Sequence, residues 1–191
     1  MSSKLVVYLH GFASSSQSEK ALLTADYFAR ELPQHRLLVP DLPYTPGEAM
    51  ACLQDLLQGQ RPDAVIGSSL GGFLATVLAE QHQCYAALIN PAVRPHLLLA
   101  KHLGRYYHPV RQQHYEVTQH HLPLLAQLAP AKPKNPALYQ VLLQSGDEVL
   151  NYLDAVDFYQ HCQLDVQEGG DHSYQGYANR LPDIVKFCQL A

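Results

Sequence analysis

Charge is scarce in this chain and nowhere clustered. Only 16% of its 191 residues are Asp, Glu, Lys or Arg, and the formal net charge is −4. A nucleic-acid footprint needs a basic patch or stripe, so that class of partner is excluded. Long apolar runs are missing as well. The run that follows the N-terminus spans only Leu5 to Leu9, too short for the apolar region of a signal peptide and far too short to cross a membrane. The four cysteines (Cys52, Cys84, Cys162 and Cys188) show no CxxC spacing. They read as reduced thiols packed mostly in a core, and the expected localisation is cytoplasmic. Neither GxGxxG nor GxxxxGK occurs, which removes the usual nucleotide-phosphate loops. HExxH is absent too. Histidines 96, 102, 108, 114 and 120 recur every six residues, but six residues turn an α-helix by about 600°, so neighbours in the series do not share a face. No metal site and no cofactor is expected.

What remains is a chain that is 47% apolar, without repeats, low-complexity tracts or an interdomain linker. It suits one domain over residues 1–191, able to bury roughly 70% of its unfolded surface. Leu5–Leu9 is a continuous apolar run, as expected of a parallel strand covered on both faces. Ser16 and Glu19 have capping-box spacing ahead of apolar positions Ala21, Leu22, Ala25, Phe28, Ala29 and Leu32 on one helical face. Arg36–Pro40 reads as a second strand. Thr45, Pro46 and Glu48 supply a cap, a first-turn proline and an acid for a second helix. Ala64–Ile66 is strand three, Tyr85–Ile89 strand four, Leu138–Gln144 strand five and Leu164–Glu168 strand six, with helices after strands three, five and six. Between strands four and five, residues 92–136 break this alternation. They hold six of the eleven histidines, show no clear strand, and read as a partly helical, cap-like insertion over one end of the sheet. Six strands alternating with helices imply a three-layer α/β/α sandwich around a mostly parallel sheet.

Gly67-Ser68-Ser69-Leu70-Gly71 fits G-x-S-x-G in one frame, with Ser69 central, between an apolar strand and an apolar helix. In a nucleophile elbow that serine sits in a strained turn at the carboxyl edge of the sheet. His10-Gly11, Gly146-Asp147 and His172 also follow directly on strands, and ligands of such sheets bind at that edge. A serine nucleophile needs a base, and the base needs an orienter. His172, in Gly169-Gly170-Asp171-His172-Ser173, is the natural base and Asp147 the natural orienter. Glu148 and Asp171 are rivals; Glu148 is expected to point to the other side of the chain, and Asp171 adjoins the histidine too closely. The oxyanion donors expected are the backbone N–H groups of Phe12 and Leu70. His10 is expected to be structural, bonding loop carbonyls. Arg94, just past strand four, is a candidate for meeting an anionic substrate group or for pairing with an internal acid.

LHGF (9–12), GSSLGG (67–72), NPAVRP (90–95), GDEVL (146–150) and GGDH (169–172) resemble the YqiA-type bacterial esterases, a small branch of the α/β-hydrolase superfamily. The resemblance covers essentially the whole chain. It implies a minimal α/β-hydrolase acting on a small-molecule acyl ester or thioester, with Ser69, Asp147 and His172 carried over position by position. The competing expectation is a non-catalytic protein that binds a small ligand on a hydrolase scaffold.

Overall fold

The computed structural model describes residues 2–108 and 112–191. In chain order the elements are β1 (Leu5–Leu9), α1 (Glu19–Glu31), β2 (Arg36–Leu38), α2 (Pro46–Leu57), β3 (Ala64–Ser68), α3 (Leu70–His82) and β4 (Tyr85–Ile89). Then come α4 (Pro95–Leu99), β5 (Gly104–His108), β6 (Gln113–Val117), α5 (His121–Leu128), β7 (Tyr139–Gln144), α6 (Tyr152–Phe158), β8 (Gln163–Gln167) and α7 (Leu181–Phe187). Six strands form one sheet in the order β2-β1-β3-β4-β7-β8, and every neighbouring pair is parallel. This is the α/β/α sandwich expected of an α/β-hydrolase.

The layers follow from strand alternation, which sends successive side chains to opposite faces. Val7, Leu9, Val65 and Leu88 pack with α2, α3 and α6 through Leu53, Phe73 and Ala155. Val6, Tyr8, Ile66 and Ile89 pack on the other face with Phe28 of α1 and Ile184 of α7. Burial on both faces explains why β1 and β4 read as unbroken apolar runs. A fully buried leucine such as Leu53 or Leu88 contributes about 2 kcal/mol. Helix α3 is apolar all round because Gly71 to Ala79 are all buried. Of the four cysteines, Cys84 and Cys188 are buried and Cys52 and Cys162 half-buried.

Two local expectations are corrected. Helix α1 begins at Glu19 with Ser18 as its N-cap, and no side chain caps it. The Ser16/Glu19 capping box does not form because the Ser16 N–H is taken by Asp41 Oδ1 at 2.6 Å. Helix α2 does start as expected: Thr45 Oγ1 donates to Glu48 Oε2 at 2.6 Å and accepts from the Glu48 N–H at 3.3 Å.

The second correction concerns the stretch between β4 and β7. It holds helices α4 and α5, but also an antiparallel hairpin, β5–β6, where no strand was expected. Residues 109–111 of the expected 92–136 insertion lie outside the described residues. Most hairpin side chains are exposed, while His108, Tyr115 and Val117 are buried. The Tyr115 ring meets Phe12, Tyr44 and Tyr106 at centroid distances of 5.5, 5.3 and 5.6 Å. His108 Nε2 donates to the Ser14 carbonyl at 3.0 Å. These contacts fasten the hairpin to the loop after β1.

Candidate active site

β1 and β3 are neighbours, whereas β2 lies outside β1, so strand order reverses between β1 and β3. The loops after these strands open a crevice at the carboxyl edge of the sheet, where α/β ligands bind. Ser69 stands at the end of β3 with φ 56° and ψ −121°, a strained conformation for a residue with a Cβ. The strain is held by packing. Ser69 N–H donates to Ile89 O at 3.0 Å, and Ser69 O accepts from the N–H groups of Gly72 and Ala92 at 2.9 and 3.0 Å. The turn is tight enough to demand glycine: a Cβ on Gly71 would lie 2.1 Å from Leu9 O, and one on Gly67 2.3 Å from Gly71 O.

His172 arrives on the loop after β8. Its Nε2 is 3.1 Å from Ser69 Oγ, and its Nδ1 is 2.9 Å from each carboxylate oxygen of Asp147. The Asp147 side chain is 2% exposed and that of His172 22%. Burial pushes the Asp147 carboxyl up, but hydrogen bonds from His172 and from the N–H groups of Leu150 and Val149 outweigh it. The net result is a pKa below the ordinary carboxylate value. Asp147 therefore stays ionised and accepts a hydrogen bond from Nδ1–H, which leaves the Nε2 lone pair toward Ser69. The three residues singled out from sequence are thus adjacent in space. Glu148 bonds the main chain of His172 and not its ring: its Oε2 accepts the His172 backbone N–H at 2.9 Å. Asp171 Oδ2 instead accepts from Gln175 Nε2 at 2.9 Å.

Phe12 and Leu70 both line a cleft of ≈ 330 Å³ that opens on Ser69 and His172. Leu70 is the first residue of α3, where backbone N–H groups lack intrahelical acceptors. The Phe12 N–H is aimed by His10. Leu42 N–H donates to His10 Nε2 at 3.0 Å, so Nδ1 carries the proton and donates to Gly11 O at 2.9 Å. Across a trans peptide, C=O and N–H point in opposite directions. Holding Gly11 O therefore fixes the direction of the Phe12 N–H. The structural role expected for His10 matches these bonds. The remaining walls of the cleft are mostly apolar, including Leu98, Leu99, Tyr106 and Val149. Arg94 is exposed and lines a neighbouring cleft of ≈ 350 Å³ with Lys101 and Asp154, rather than the one that contains Ser69. Among the described residues no group of three or more His, Cys, Asp or Glu side chains is placed to hold a metal ion. No helix among them is long and apolar enough to cross a membrane.

Residues 5–189 match the family described as Uncharacterised protein family (UPF0227). The chain belongs to that family. The YqiA-type resemblance read from the five short motifs is borne out by this match. Among solved structures, Est1E from Butyrivibrio proteoclasticus superposes with a TM-score of 0.71 at 15% identity, over 98% of this chain and 88% of that one. The esterase domain of a Rhodothermus marinus protein gives a TM-score of 0.70 at 17% identity, over 97% and 86% of the two chains. Mouse alpha/beta hydrolase domain-containing protein 10 gives 0.70 at 16% identity, over 97% and 88%. Likenesses at this identity establish the α/β-hydrolase fold.

Two residues of this UPF0227 member that hold the His172 loop were missed from sequence. Asn90, buried at the end of β4 with φ 40°, donates through Nδ2 to the carbonyls of Asp171 and His172 at 3.0 and 3.2 Å. Its Oδ1 accepts the Gln144 N–H at 3.0 Å. Gln144, buried at the end of β7, accepts through Oε1 from the N–H groups of Asp171 and Gln175 at 3.2 and 2.8 Å. The available signal was a polar amide closing an otherwise apolar strand at the same edge as Ser69.

Proposed function

We propose that this protein is a serine hydrolase that cleaves carboxylic esters or thioesters through an acyl-enzyme on Ser69. His172 Nε2 takes the Ser69 Oγ proton as Oγ attacks the acyl carbon, and the carbonyl oxygen becomes an oxyanion held by the N–H groups of Phe12 and Leu70. Collapse expels the alkoxide or thiolate, which takes the proton from Nε2. Water then attacks the acyl-enzyme, with Nε2 again as base, releasing the acid and restoring Ser69. Asp147 keeps the Nδ1–H tautomer and stabilises the imidazolium. The apolar cleft receives the acyl chain, and the elements between β4 and β7 act as a cap over it.

The observation that carries this reading is the unbroken series from Asp147 through His172 to Ser69, with separations of 2.9 and 3.1 Å. A strained serine backbone at a strand–helix turn supports it, since such strain persists where function uses it. The fold shared with Est1E and the Rhodothermus marinus esterase domain agrees with it. The test is labelling by a fluorophosphonate probe, with turnover of p-nitrophenyl esters of increasing chain length and of acyl-CoA thioesters. Wild type should label and turn over; Ser69→Ala should do neither while unfolding at nearly the same temperature. An unlabelled, inactive wild type that still binds acyl ligands would favour the non-catalytic binding protein.

A further inference from the structure

Two clefts of opposite character meet at Ser69 and His172. Beside the apolar one lies a smaller cleft of ≈ 150 Å³ on the side of the β1–α1 loop, walled by Tyr8, Ser14, Ser18, Lys20, Ser68 and Ser173. Among the described residues lining it there is a cation, a phenol and several hydroxyls, but no carboxylate. Tyr8 is fully buried, and its hydroxyl has no hydrogen-bond partner. Burial raises the phenol's pKa, so it is a protonated donor lacking an acceptor, a costly state unless an acceptor enters. Lys20 Nζ donates to Ser173 O at 2.7 Å, and a primary ammonium has two further donors. Burial lowers the Lys20 pKa, while Glu19 and Asp171, which lie outside the lining, raise it. Ser18, the N-cap of the thirteen-residue α1, makes no side-chain capping bond, so the first turn of that helix keeps its need for an acceptor.

We propose that this polar cleft is the leaving-group subsite, and that it takes a small alcohol bearing an anionic, oxygen-rich group: a phosphate or a carboxylate. The inference rests on Ser69 acting as the nucleophile. The chemistry places the leaving oxygen within reach of His172 Nε2, which returns the proton as the C–O bond breaks. His172 lines both clefts, so the acyl chain occupies the apolar one and the alcohol departs through the polar one. The anion would accept from Tyr8 and Lys20, completing the donors that the fold leaves open.

The test has a binding arm and a kinetic arm. In the Ser69→Ala background, calorimetry with glycerol 3-phosphate, glycerate and glycerol should show one of the two anions binding at least tenfold more tightly than glycerol. Which anion binds identifies the group. Lys20→Met should abolish that preference and Lys20→Arg keep it. Tyr8→Phe should weaken anion binding without lowering the unfolding temperature, since it deletes a partnerless hydroxyl. On wild type, kcat/KM for the butyryl ester of the preferred anion should exceed that for glyceryl butyrate at least tenfold, and Lys20→Met should bring the ratio near one. Equal binding of all three alcohols, or an equal fall for both esters in Lys20→Met, overturns the subsite; the second result would make Lys20 only a latch on Ser173. If Ser69 still labels with a fluorophosphonate in that case, the hydrolase reading stands alone. Anion binding without labelling or turnover overturns the hydrolase reading and the leaving-group role with it.

Discussion

Glu148 accepts the backbone N–H of His172 at 2.9 Å, while Asp147, its neighbour in the chain, accepts from the ring of the same histidine at 2.9 Å. Successive side chains at a strand end diverge, and here both divergent acids reach one residue because the loop after β8 folds over the loop after β7. The Ser145 N–H bonds to Gln167 O at 2.9 Å, and the Gly146 N–H to Gly169 O at 2.8 Å, tying the two loops together. The two acids therefore have different duties toward His172. One bonds the ring; the other bonds the main chain that carries it.

Asp147→Asn should lower kcat by as much as ~10⁴, because an amide can present a donor to Nδ1 and favour the wrong tautomer. Glu148→Gln should cost less than about tenfold, since its amide oxygen still accepts the His172 N–H. Glu148→Ala should cost more than Glu148→Gln. All three can be compared with one short-chain ester. Near-normal Asp147→Asn with a collapsed Glu148→Gln would exchange the two roles.

Asp147 also links stability to acidity. Its folded-state pKa lies below the ordinary carboxylate value, because bonds from His172, Leu150 and Val149 outweigh the opposing effect of burial. The stabilisation this represents is present in full above the unfolded-state pKa of about 3.9. It is lost as pH falls from there through the lower folded value, where the native carboxylate takes up its proton. Thermal unfolding followed between pH 7 and pH 3 should show wild type losing more stability on acidification than Asp147→Asn, which has no proton to gain there. Parallel curves would remove Asp147 from the acid-sensitive set.

Legibility from sequence tracked burial. Leu5–Leu9 and Tyr85–Ile89 were read with their observed bounds, because strands covered on both faces leave an apolar run with sharp polar ends. The frame of the elbow was fixed by Gly67 and Gly71, whose missing Cβ atoms the close approach requires. Hairpin β5–β6 left no such trace. Its outward faces carry Arg105, Tyr107, His114 and Glu116, and few of its residues are buried, so neither period 2 nor period 3.6 stands out. The Ser16/Glu19 pattern misled because a capping box is local, whereas Asp41, from a loop 25 residues away, competes for the Ser16 N–H. Asn90 and Gln144 were missed for a related reason. Their importance lies in partners 54 to 82 positions away for Asn90 and 23 to 31 away for Gln144's side-chain bonds.

Asn90 tests whether that missed network matters. Asn90→Ala would leave the buried Gln144 N–H without its acceptor and free the carbonyls of Asp171 and His172. The loss of stability should be about 1–3 kcal/mol, together with a fall in kcat larger than any change in KM. Asn90→Asp separates the two functions of the side chain. A carboxylate still accepts from Gln144 but is repelled by the two loop carbonyls, so kcat should fall as far as in Asn90→Ala or further. Wild-type kcat in Asn90→Asp would mean that the loop is held well enough by Gln144 and the two acids.

The hairpin makes the last prediction. Tyr115 is 6% exposed and presents its ring edge-on to Phe12, with centroids 5.5 Å apart and an interplanar angle of 83°. Tyr106 stacks on Tyr115 at 5.6 Å, and His108 ties the same hairpin to Ser14. Phe12 is thus held from two directions: its peptide by His10 through Gly11 O, and its ring by Tyr115. If the Phe12 N–H stabilises the oxyanion, loosening the ring should blur the position of that donor without emptying the acyl cleft. Tyr115→Phe keeps the ring contact and should retain nearly all activity. Tyr115→Leu removes it and should lower kcat at least about tenfold, but by no more than the 10²–10³ lost when an oxyanion donor is deleted outright. KM for a short acyl ester should change little in both. The measurement is kcat and KM at a temperature where both variants are fully folded by circular dichroism, because losing a buried ring also costs packing energy. Equal kcat in the two variants would mean that His10 alone positions the donor, leaving the hairpin as a wall of the cleft; a rise confined to KM in Tyr115→Leu would point the same way.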